Sequence, residues 1–355
     1  MFQDPLIKLL LAPFSILYGM GVSLRNFFYR NRILLSVSFS IPVISVGSLT
    51  VGGAGKSPHI EYLIRLLRPY LNVSTLSRGY RRKTQGFRLV HPQNKVEECG
   101  DEPLMFKRKY PDVLVAVSES RSFGIPKILQ HAPGTQVVLL DDAFQHLSVQ
   151  PGLNIMLTEY SLPFTRDYLL PSGRLREWRN AYKRADVIVV SKCPPDIGQA
   201  EREALIAEIK PLPHQKVFFS SYRYQNPYYI FNSRYRVQLD EETEVLLVCA
   251  IANTEYLEDY LTEKTESVRV MAFEDHHFFE EKDLYEILRQ WKAMTGRKRL
   301  LITTEKDAVR LEPHREWILK EQLPLVVLPI EVYFHFDEGP VFDELVKSFL
   351  LEFKV

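Results

Sequence analysis

The chain has 355 residues, 46% hydrophobic and 25% charged, which is the composition of a globular protein and, at this length, predicts two domains. Its 45 basic and 44 acidic residues leave a net charge of +1, so no global field favours nucleic acid and no nucleic-acid partner is expected. The three cysteines, Cys99, Cys193 and Cys249, are far apart and lack metal-ligand spacing, which favours a reducing compartment.

The first predicted element is an apolar segment at 6–24, interrupted by Lys8 and Pro13 and followed by arginines and aromatics. A signal peptide would carry positive charge before the apolar run, whereas here Asp4 precedes it. A transmembrane helix needs about 20 apolar residues, for which this stretch is marginal. An interfacial helix whose arginines reach lipid phosphates fits, and a helix packed in the core is the alternative. The apolar residues expected near one face are Leu6, Leu10, Phe14, Leu17 and Leu24.

A glycine-rich loop at 50–57 follows a β-branched run at 42–46 and precedes a helical stretch at 60–67. This order of strand, glycine loop and helix is typical of a phosphate loop, and we interpret it as a nucleotide site. The usual phosphate-loop pattern begins with glycine where this chain has Thr50. A glycine-rich turn that only begins a helix is the alternative.

The residue types of this loop suit a polyphosphate. Gly52, Gly53 and Gly55 can adopt positive φ, so that successive backbone N–H groups point at a polyphosphate on the helix N-terminus. We expect Lys56 to meet the β- and γ-phosphates and the Ser57 hydroxyl to bind Mg²⁺.

Beyond the loop, apolar runs alternate with helical stretches, which predicts parallel strands covered on both faces. The strand-like runs of this first series lie at 73–76, 113–117, 136–140, 153–157, 187–190 and 217–220, with helical stretches at 102–109, 121–131 and 199–210. The aromatic segment 222–240 interrupts the alternation and predicts a connection with a β-ribbon near Asn232. The second series has strands at 245–250, 268–273, 300–303 and 325–328 and helices at 254–261, 280–294 and 340–353.

The predicted fold is therefore α/β, with a P-loop NTPase-like parallel-sheet domain and a second, smaller α/β domain joined by a β-ribbon-like linker. The boundaries expected are an N-terminal helix at 1–30, the first domain at 31–221, the linker at 222–240 and the second domain at 241–355. We expect the second domain to close over the active site.

Two carboxylate positions in the first domain could handle phosphate. Asp141 and Asp142 end a strand, where ligands gather in open α/β sheets, and are the expected partners of Mg²⁺; a plain loop opening is the alternative. Asp101 lies at a helix start, where it could simply cap the helix. A kinase also needs a carboxylate near the γ-phosphate to orient the attacking hydroxyl, and Asp101 is the natural candidate.

In the second domain, Asp275-His276-His277 follows the strand at 268–273. Adjacent histidines on an extended chain point opposite ways, and no third ligand is near in sequence, so a metal site is not favoured. A single imidazole that contacts a phosphate or polarises an acid across the domain cleft is the functional interpretation, and a structural histidine is the alternative.

Guanine recognition is unsupported, because a GTPase should carry Asn/Thr-Lys-x-Asp after a late strand. The chain has Ser-Lys-Cys-Pro at 191–194, without the aspartate, and Thr-Glu-Lys-Asp at 304–307, with the lysine one place late.

Seven short motifs occur along the chain in a distinctive order. They are Val-Gly-Ser-Leu-Thr-Val-Gly-Gly-Ala-Gly-Lys-Ser-Pro at 46–58, Ser-Arg-Gly-Tyr at 77–80, Gly-Asp-Glu-Pro at 100–103, Asp-Asp-Ala-Phe-Gln-His at 141–146, Leu-Pro-Ser-Gly-Arg-Leu-Arg-Glu at 170–177, Asp-His-His at 275–277 and Thr-Glu-Lys-Asp at 304–307. Together they resemble the tetraacyldisaccharide 4′-kinase family of lipid A synthesis over nearly the whole chain. The departures from the family pattern are Ala54 and Ser57 for threonine, Ser48 for asparagine and Phe144 for leucine, and Ser57 keeps the hydroxyl.

The resemblance implies transfer of the ATP γ-phosphate, with Mg²⁺, to the 4′-hydroxyl of a membrane-embedded tetraacylated glucosamine disaccharide 1-phosphate. It also implies a peripheral enzyme on the cytoplasmic face of the bacterial inner membrane, held there by its N-terminal helix. By position, Asp101 resembles the family's catalytic base and His276 its partner. The resemblance implies ATP-binding positions at Thr50, Gly52, Gly53, Ala54, Gly55, Lys56, Ser57 and Arg121, and metal positions at Ser57, Asp141, Asp142 and Glu177.

A phosphate-loop switch or assembly ATPase is the rival interpretation. Such a protein would need a partner surface and a water-positioning residue, but not an apolar N-terminal helix beside a cationic patch. Dependence of ATP consumption on a lipid disaccharide would distinguish the two.

Overall fold

The computed structural model describes residues 5–251 and 254–354. Residues 1–4 of the predicted N-terminal segment, and 252–253 and 355 of the predicted second domain, lie outside the described residues. The α-helices are α1 (Pro5–Arg30), α2 (Lys56–Leu67), α3 (Val96–Cys99), α4 (Asp101–Lys109), α5 (Arg121–His131), α6 (Gln199–Ile209), α7 (Glu255–Lys264), α8 (Glu281–Lys292), α9 (Glu305–Leu311), α10 (Arg315–Lys320) and α11 (Gly339–Glu352), with 3₁₀ turns at Arg179–Arg184 and Glu312–His314. The strands are β1 (Val43–Ser48), β2 (Val73–Ser77), β3 (Arg88–Leu89), β4 (Leu114–Val117), β5 (Val137–Asp141), β6 (Leu153–Glu159), β7 (Val187–Ser191), β8 (Lys216–Tyr224), β9 (Tyr228–Tyr229), β10 (Asn232–Arg236), β11 (Thr243–Cys249), β12 (Ser267–Ala272), β13 (Lys298–Thr304), β14 (Leu325–Leu328) and β15 (Ile330–Phe334).

The first sheet has the strand order β15-β8-β7-β6-β1-β5-β2-β4-β3 and is parallel except at its two edges. Its central strand β1 is buried along its whole length, because it is covered on both faces and carries only apolar or small residues. It pairs with β5 in parallel, with Val46 opposite Asp141. The phosphate loop and the Asp141-Asp142 pair therefore leave the same edge of the sheet side by side.

The second sheet has the order β10-β9-β14-β13-β11-β12. The strands β12, β11, β13 and β14 are parallel, and β9 and β10 form the antiparallel ribbon expected near Asn232. The linker segment thus extends the second sheet, because β9 pairs with β14. Two mostly parallel sheets packed with helices confirm the predicted α/β fold class.

The C-terminal segment corrects the expected boundary of the second domain at 241–355. The strand β15, which sequence reasoning missed, pairs antiparallel with β8 at the edge of the first sheet, from Ile330 opposite Tyr224 to Phe334 opposite Ser220. Phe342 of α11 is buried in the core of that same sheet. Burial of these apolar side chains holds the segment against the first sheet. The second unit is therefore formed without β15 and α11.

The N-terminal helix α1 exposes most of its apolar side chains. Leu9, Leu10 and Leu17 retain 74%, 67% and 64% of their accessible surface, so the core-packed alternative does not hold. The segment Leu6–Arg30 is long and apolar enough to cross a membrane by length and composition. The exposed apolar surface continues past the helix at Ile33 and Leu35.

The opposite face of α1 is held by hydrogen bonds rather than by apolar burial. Ser15 Oγ donates to the Leu169 carbonyl at 3.0 Å, and Trp178 Nε1 donates to the Gly19 carbonyl at 3.1 Å. A Cβ on Gly19 would lie 2.4 Å from the Trp178 ring, so the close approach requires glycine there. The helix is therefore fixed against the 169–178 segment while its apolar face points to solvent.

Candidate active site

The predicted phosphate loop forms between β1 and α2. Gly52, Gly53 and Gly55 have φ of 76°, 30° and 76°, which is the left-handed conformation expected of them. Ala54 is buried, and Thr50 forms an isolated antiparallel bridge to Leu175 that anchors the start of the loop. The loop therefore has the backbone conformation that can turn N–H groups toward an anion.

Gly55 has a second reason to be glycine, since a Cβ there would lie 2.1 Å from the Tyr222 hydroxyl. Its carbonyl lies 2.8 Å from His59 Nδ1, and His59 Nε2 lies 3.0 Å from Ser220 Oγ. Burial lowers the pKa of His59 to about 4 despite its bond to Gly55, so the ring is neutral and donates from Nδ1. Sequence reasoning missed His59, although its place one turn after Lys56 was a usable signal.

Lys56 begins α2, and its Nζ lies 3.8 Å from Asp142 Oδ1. Arg176 donates to both oxygens of Asp142, at 2.7 and 3.1 Å. Burial opposes the charge of Asp142, but Lys56 and Arg176 hold its pKa below the usual range. Ser57 follows in the same first helical turn and is half-buried. The structure thus brings Lys56, Ser57 and Asp142 to one edge of the sheet.

Asp141 is buried beneath this group. Its Oδ1 has no hydrogen-bond partner among the described residues, and burial, followed by the charge of Asp142, raises its pKa to about 6. Arg121, fully buried at the start of α5, donates to the Asp141 carbonyl at 3.1 Å and to the Ser118 carbonyl at 2.7 Å. Arg121 therefore lies behind the aspartate pair, where burial lowers its pKa to about 10.

Glu177, an expected metal position, lies against α1 in the structure. Its carboxylate accepts two hydrogen bonds from Arg184, at 2.9 and 3.0 Å, and one from Asn26 at 3.0 Å. Arg25 lies 3.5 Å away. Through these contacts Glu177 links α1 to the unit of the first sheet, and its role as a metal ligand stays a prediction.

Asp101 and His276 meet across the two units, with His276 Nδ1 2.8 Å from Asp101 Oδ2. Asp101 begins α4 and is buried, and its Oδ1 accepts the backbone N–H of Glu102 at 3.1 Å. His276 follows β12 with φ of 62°, a conformation that is uncommon for a residue other than glycine. Burial opposes the charge of Asp101, but its hydrogen bonds to Glu102 and His276 and the charge of Lys306 lower its pKa.

Two cations of α9 complete this site and were missed as members of it. Lys306 Nζ lies 3.0 Å from Glu102 Oε1, 3.2 Å from His276 Nε2 and 3.9 Å from Asp101 Oδ2. Arg310, one helical turn later, has its Nε 3.9 Å from the same Asp101 oxygen. The Thr-Glu-Lys-Asp motif was recognised in the sequence, but nothing in it indicated which site the lysine joins.

The Ser-Arg-Gly-Tyr segment at 77–80 brings further groups to His276. A Cβ on Gly79 would lie 2.6 Å from the Cys99 carbonyl, so the close packing of this turn against the start of α4 requires glycine. The Tyr80 ring lies 4.9 Å from the His276 ring between centroids, and Arg81 donates to the Asp275 carbonyl at 3.1 Å.

Two cavities adjoin these groups and share Arg78. A cavity of about 350 Å³ lies between α1 and the Asp142 loop. It is lined by Tyr18, Arg25, Tyr29, Arg78, Asp142, Gln145, His146, Leu147, Ser148 and Arg176. A second, of about 730 Å³, is lined by residues 78–86 and Glu119. Asp142 and α1 therefore face one polar space.

Comparisons with known proteins lead to one family. A family model described as tetraacyldisaccharide-1-P 4′-kinase matches residues 7–350. The tetraacyldisaccharide 4′-kinase of Phocaeicola vulgatus is 41% identical over 347 residues, covering 96% of this chain and 94% of that protein. That of Flavobacterium johnsoniae is 43% identical over 307 residues, covering 86% and 88%.

Among solved structures, LpxK from Aquifex aeolicus in complex with ATP aligns with a TM-score of 0.74 and 27% identity, covering 97% of this chain and 99% of that one. The family match extends over both sheets and nearly all of the N-terminal helix. The chain belongs to the tetraacyldisaccharide-1-P 4′-kinase family.

Proposed function

We propose that this protein transfers the γ-phosphate of ATP to the 4′-hydroxyl of a tetraacylated glucosamine disaccharide 1-phosphate. The observation that carries the proposal is the 2.8 Å contact of Asp101 with His276, which joins the unit that carries the phosphate loop to the second unit. A buried carboxylate held by an imidazole is a base suited to a hydroxyl acceptor. In this proposal the second unit, which carries His276, closes over the nucleotide.

ATP is proposed to bind at the loop formed by Thr50, Gly52, Gly53, Ala54 and Gly55, which precedes Lys56. The left-handed glycines and the N-terminus of α2 provide the N–H groups and the helix dipole that favour a polyphosphate. The ATP complex of the Aquifex aeolicus relative supports this ligand.

The residues beside Lys56 fit Mg²⁺. The unpartnered, buried Oδ1 of Asp141 is an oxygen that a hard cation would satisfy, and the charged carboxylate of Asp142 lies beside it. Ser57, Asp141 and Asp142 would hold the ion, which when bound neutralises phosphate charge.

The chain's own residues promote the phosphate transfer itself. The acceptor oxygen forms a bond to the γ-phosphorus, the bond from that phosphorus to the β–γ bridging oxygen breaks, and ADP leaves with that electron pair. The hydroxyl proton passes to Asp101, which His276 orients. Lys56 stabilises the charge that develops on the phosphates.

The acceptor explains the position of α1. The cavity of about 350 Å³ places Arg25, Arg78 and Arg176 around a space that suits a sugar phosphate. The exposed leucines of α1 suit a bilayer interface, where four acyl chains would remain. We therefore propose a peripheral location on the cytoplasmic face of the bacterial inner membrane.

The test compares the full-length protein with Lys56→Ala in vesicles that contain the lipid disaccharide, by transfer of labelled γ-phosphate from ATP. Wild type should label the lipid only when the acceptor is present, and Lys56→Ala should lose transfer by about 1,000-fold or more, as befits a charge aimed at the phosphates. The exposed Lys282→Ala is the matched control. A rate of ATP hydrolysis that does not depend on the lipid disaccharide would instead support the switch or assembly ATPase.

A further inference from the structure

We infer that Lys306 fixes His276 in the tautomer that carries its proton on Nδ1, and so acts as a positioning residue for Asp101. The inference rests on the proposed role of Asp101 as the base, and it adds Lys306 as a residue on which that role depends. It comes from the two different partners that the structure gives to the two ring nitrogens of His276.

The partners of both ring nitrogens favour the same tautomer. An ammonium group has three donors and no acceptor, so the 3.2 Å contact between Lys306 Nζ and His276 Nε2 requires Nε2 to accept with its lone pair. The proton of a neutral ring then lies on Nδ1 and is donated to Asp101 Oδ2 at 2.8 Å. The competing acceptor, Asp275 Oδ2, lies 3.6 Å from Nε2, beyond hydrogen-bonding distance.

Lys306 is held as a cation in this place. Its Nζ lies 3.0 Å from Glu102 Oε1 and 3.6 Å from Asp275 Oδ1. Burial opposes its charge, but the carboxylates of Glu102, Asp101 and Asp275 raise its pKa. Asp101, Glu102 and His276 are close enough to hold a metal ion, and the ammonium group already supplies the positive charge there.

The backbone of α9 positions Lys306. Thr304 caps the helix, with its Oγ1 accepting the Asp307 N–H at 3.1 Å, so that Lys306 lies in the first turn. Arg310 on the same face approaches Asp101 while its guanidinium donates to the Ala250 carbonyl at 3.2 Å. One short helix therefore sets both the charge environment of Asp101 and the tautomer of its partner.

The tautomer matters because only a ring with its proton on Nδ1 donates to Asp101. With the proton on Nε2, the Nδ1 lone pair would face the carboxylate at 2.8 Å, and two acceptors would repel. Asp101 would then lose both its orientation and one of the bonds that keep it ionised.

The first test needs no substrate. In wild-type protein labelled with ¹⁵N-histidine, long-range ¹H–¹⁵N correlation spectra should show Nδ1 of His276 protonated and Nε2 unprotonated, with the resonance assigned by its loss in His276→Gln. A protonated Nε2 in the wild type would overturn the inference even if the protein proves to be the proposed kinase. The reverse outcome, the expected tautomer without kinase activity, would leave the inference intact and refute the function.

The second test uses Lys306→Met, which keeps the length of the side chain and removes the donor. It should shift the ring toward the Nε2–H tautomer and lower kcat by about 100-fold, the cost of misplacing a reacting group by about 1 Å, with the KM for ATP within about twofold. Lys306→Arg retains a donor and should restore the tautomer and most of kcat. An unchanged tautomer in a folded Lys306→Met would overturn the inference.

Lys109→Met is the matched control. Lys109 is a lysine of the same interface between the units, paired with Glu61 at 2.5 Å and Glu305 at 2.6 Å, and it is not in contact with His276 in the described contacts. Its loss should lower stability without altering the His276 tautomer. If Lys306→Met does not fold, the wild-type and Lys306→Arg spectra still decide the question.

Discussion

The contact between Asp101 and His276 makes a quantitative prediction, because both side chains are largely buried and the bond is 2.8 Å long. Asp101→Ala removes the proposed base and should lower kcat by about 100- to 10,000-fold. His276→Ala removes one hydrogen bond to a charged group, worth about 1.5–3 kcal/mol, which corresponds to about 10- to 150-fold in kcat. In His276→Ala the charge of Asp101 still has Lys306 and Arg310 as partners, each at 3.9 Å. This variant should therefore still fold.

The double variant should be no slower than Asp101→Ala, because His276 acts through the carboxylate. The assay is the initial rate of phosphate transfer with both substrates saturating, together with urea unfolding of each variant. The matched control is His277→Ala, since His277 bonds instead to Asp283 within its own unit at 2.8 Å. Losses that multiply in the double variant would refute the reasoning, and so would a His277→Ala defect as large as that of His276→Ala.

Three further predictions follow from other parts of the molecule. Replacing Leu10 and Leu17 together by glutamate should abolish co-sedimentation with anionic vesicles and leave the melting temperature within about 2 °C, since both are exposed; unchanged vesicle binding would contradict an interfacial α1. His59→Ala removes the imidazole donor from the Gly55 carbonyl, which keeps only the backbone N–H of residue 59 at 3.4 Å. Urea unfolding should therefore show a loss of about 1–3 kcal/mol and the KM for ATP should rise, whereas an unaltered unfolding midpoint would contradict this. Burial and then the charge of Glu61 raise the pKa of Glu305 to about 7. The contribution of protonated Glu305 to the free energy of unfolding is therefore full below about pH 4.5 and is lost as the pH rises through 7. Glu305→Gln should flatten the fall in stability between pH 5 and 8 by up to about 3 kcal/mol, and parallel stability curves for wild type and variant would contradict this.

Local patterns predicted much of the fold. The strand, glycine loop and helix at the phosphate loop depend on neighbours in the chain, so the left-handed conformations of Gly52 and Gly55 follow from residue type alone. The exposed face of α1 follows equally from helical spacing, because Leu6, Leu10 and Leu17 recur on one side. The motif order also predicted the family and hence the pairing of Asp101 with His276.

Contacts between distant segments required the tertiary structure. The last strand, β15, returns to the first sheet because β8 offers an edge there, and no local signal marks that edge. Glu177 meets Arg184 and Asn26 because α1 packs against its segment, which the spacing of its motif does not reveal.

The sequence by itself determined which residue types are present at the site and which local conformations they adopt, because hydrophobic period, glycine and capping act within a few residues. Only the tertiary structure decided their partners. Lys306 and His276 are 30 positions apart, and Asp101 and His276 are 175 apart, yet they share one hydrogen-bonded cluster. That cluster exists because two sheets bury their faces against separate helices and then meet along α4 and α9, an arrangement set by long-range packing.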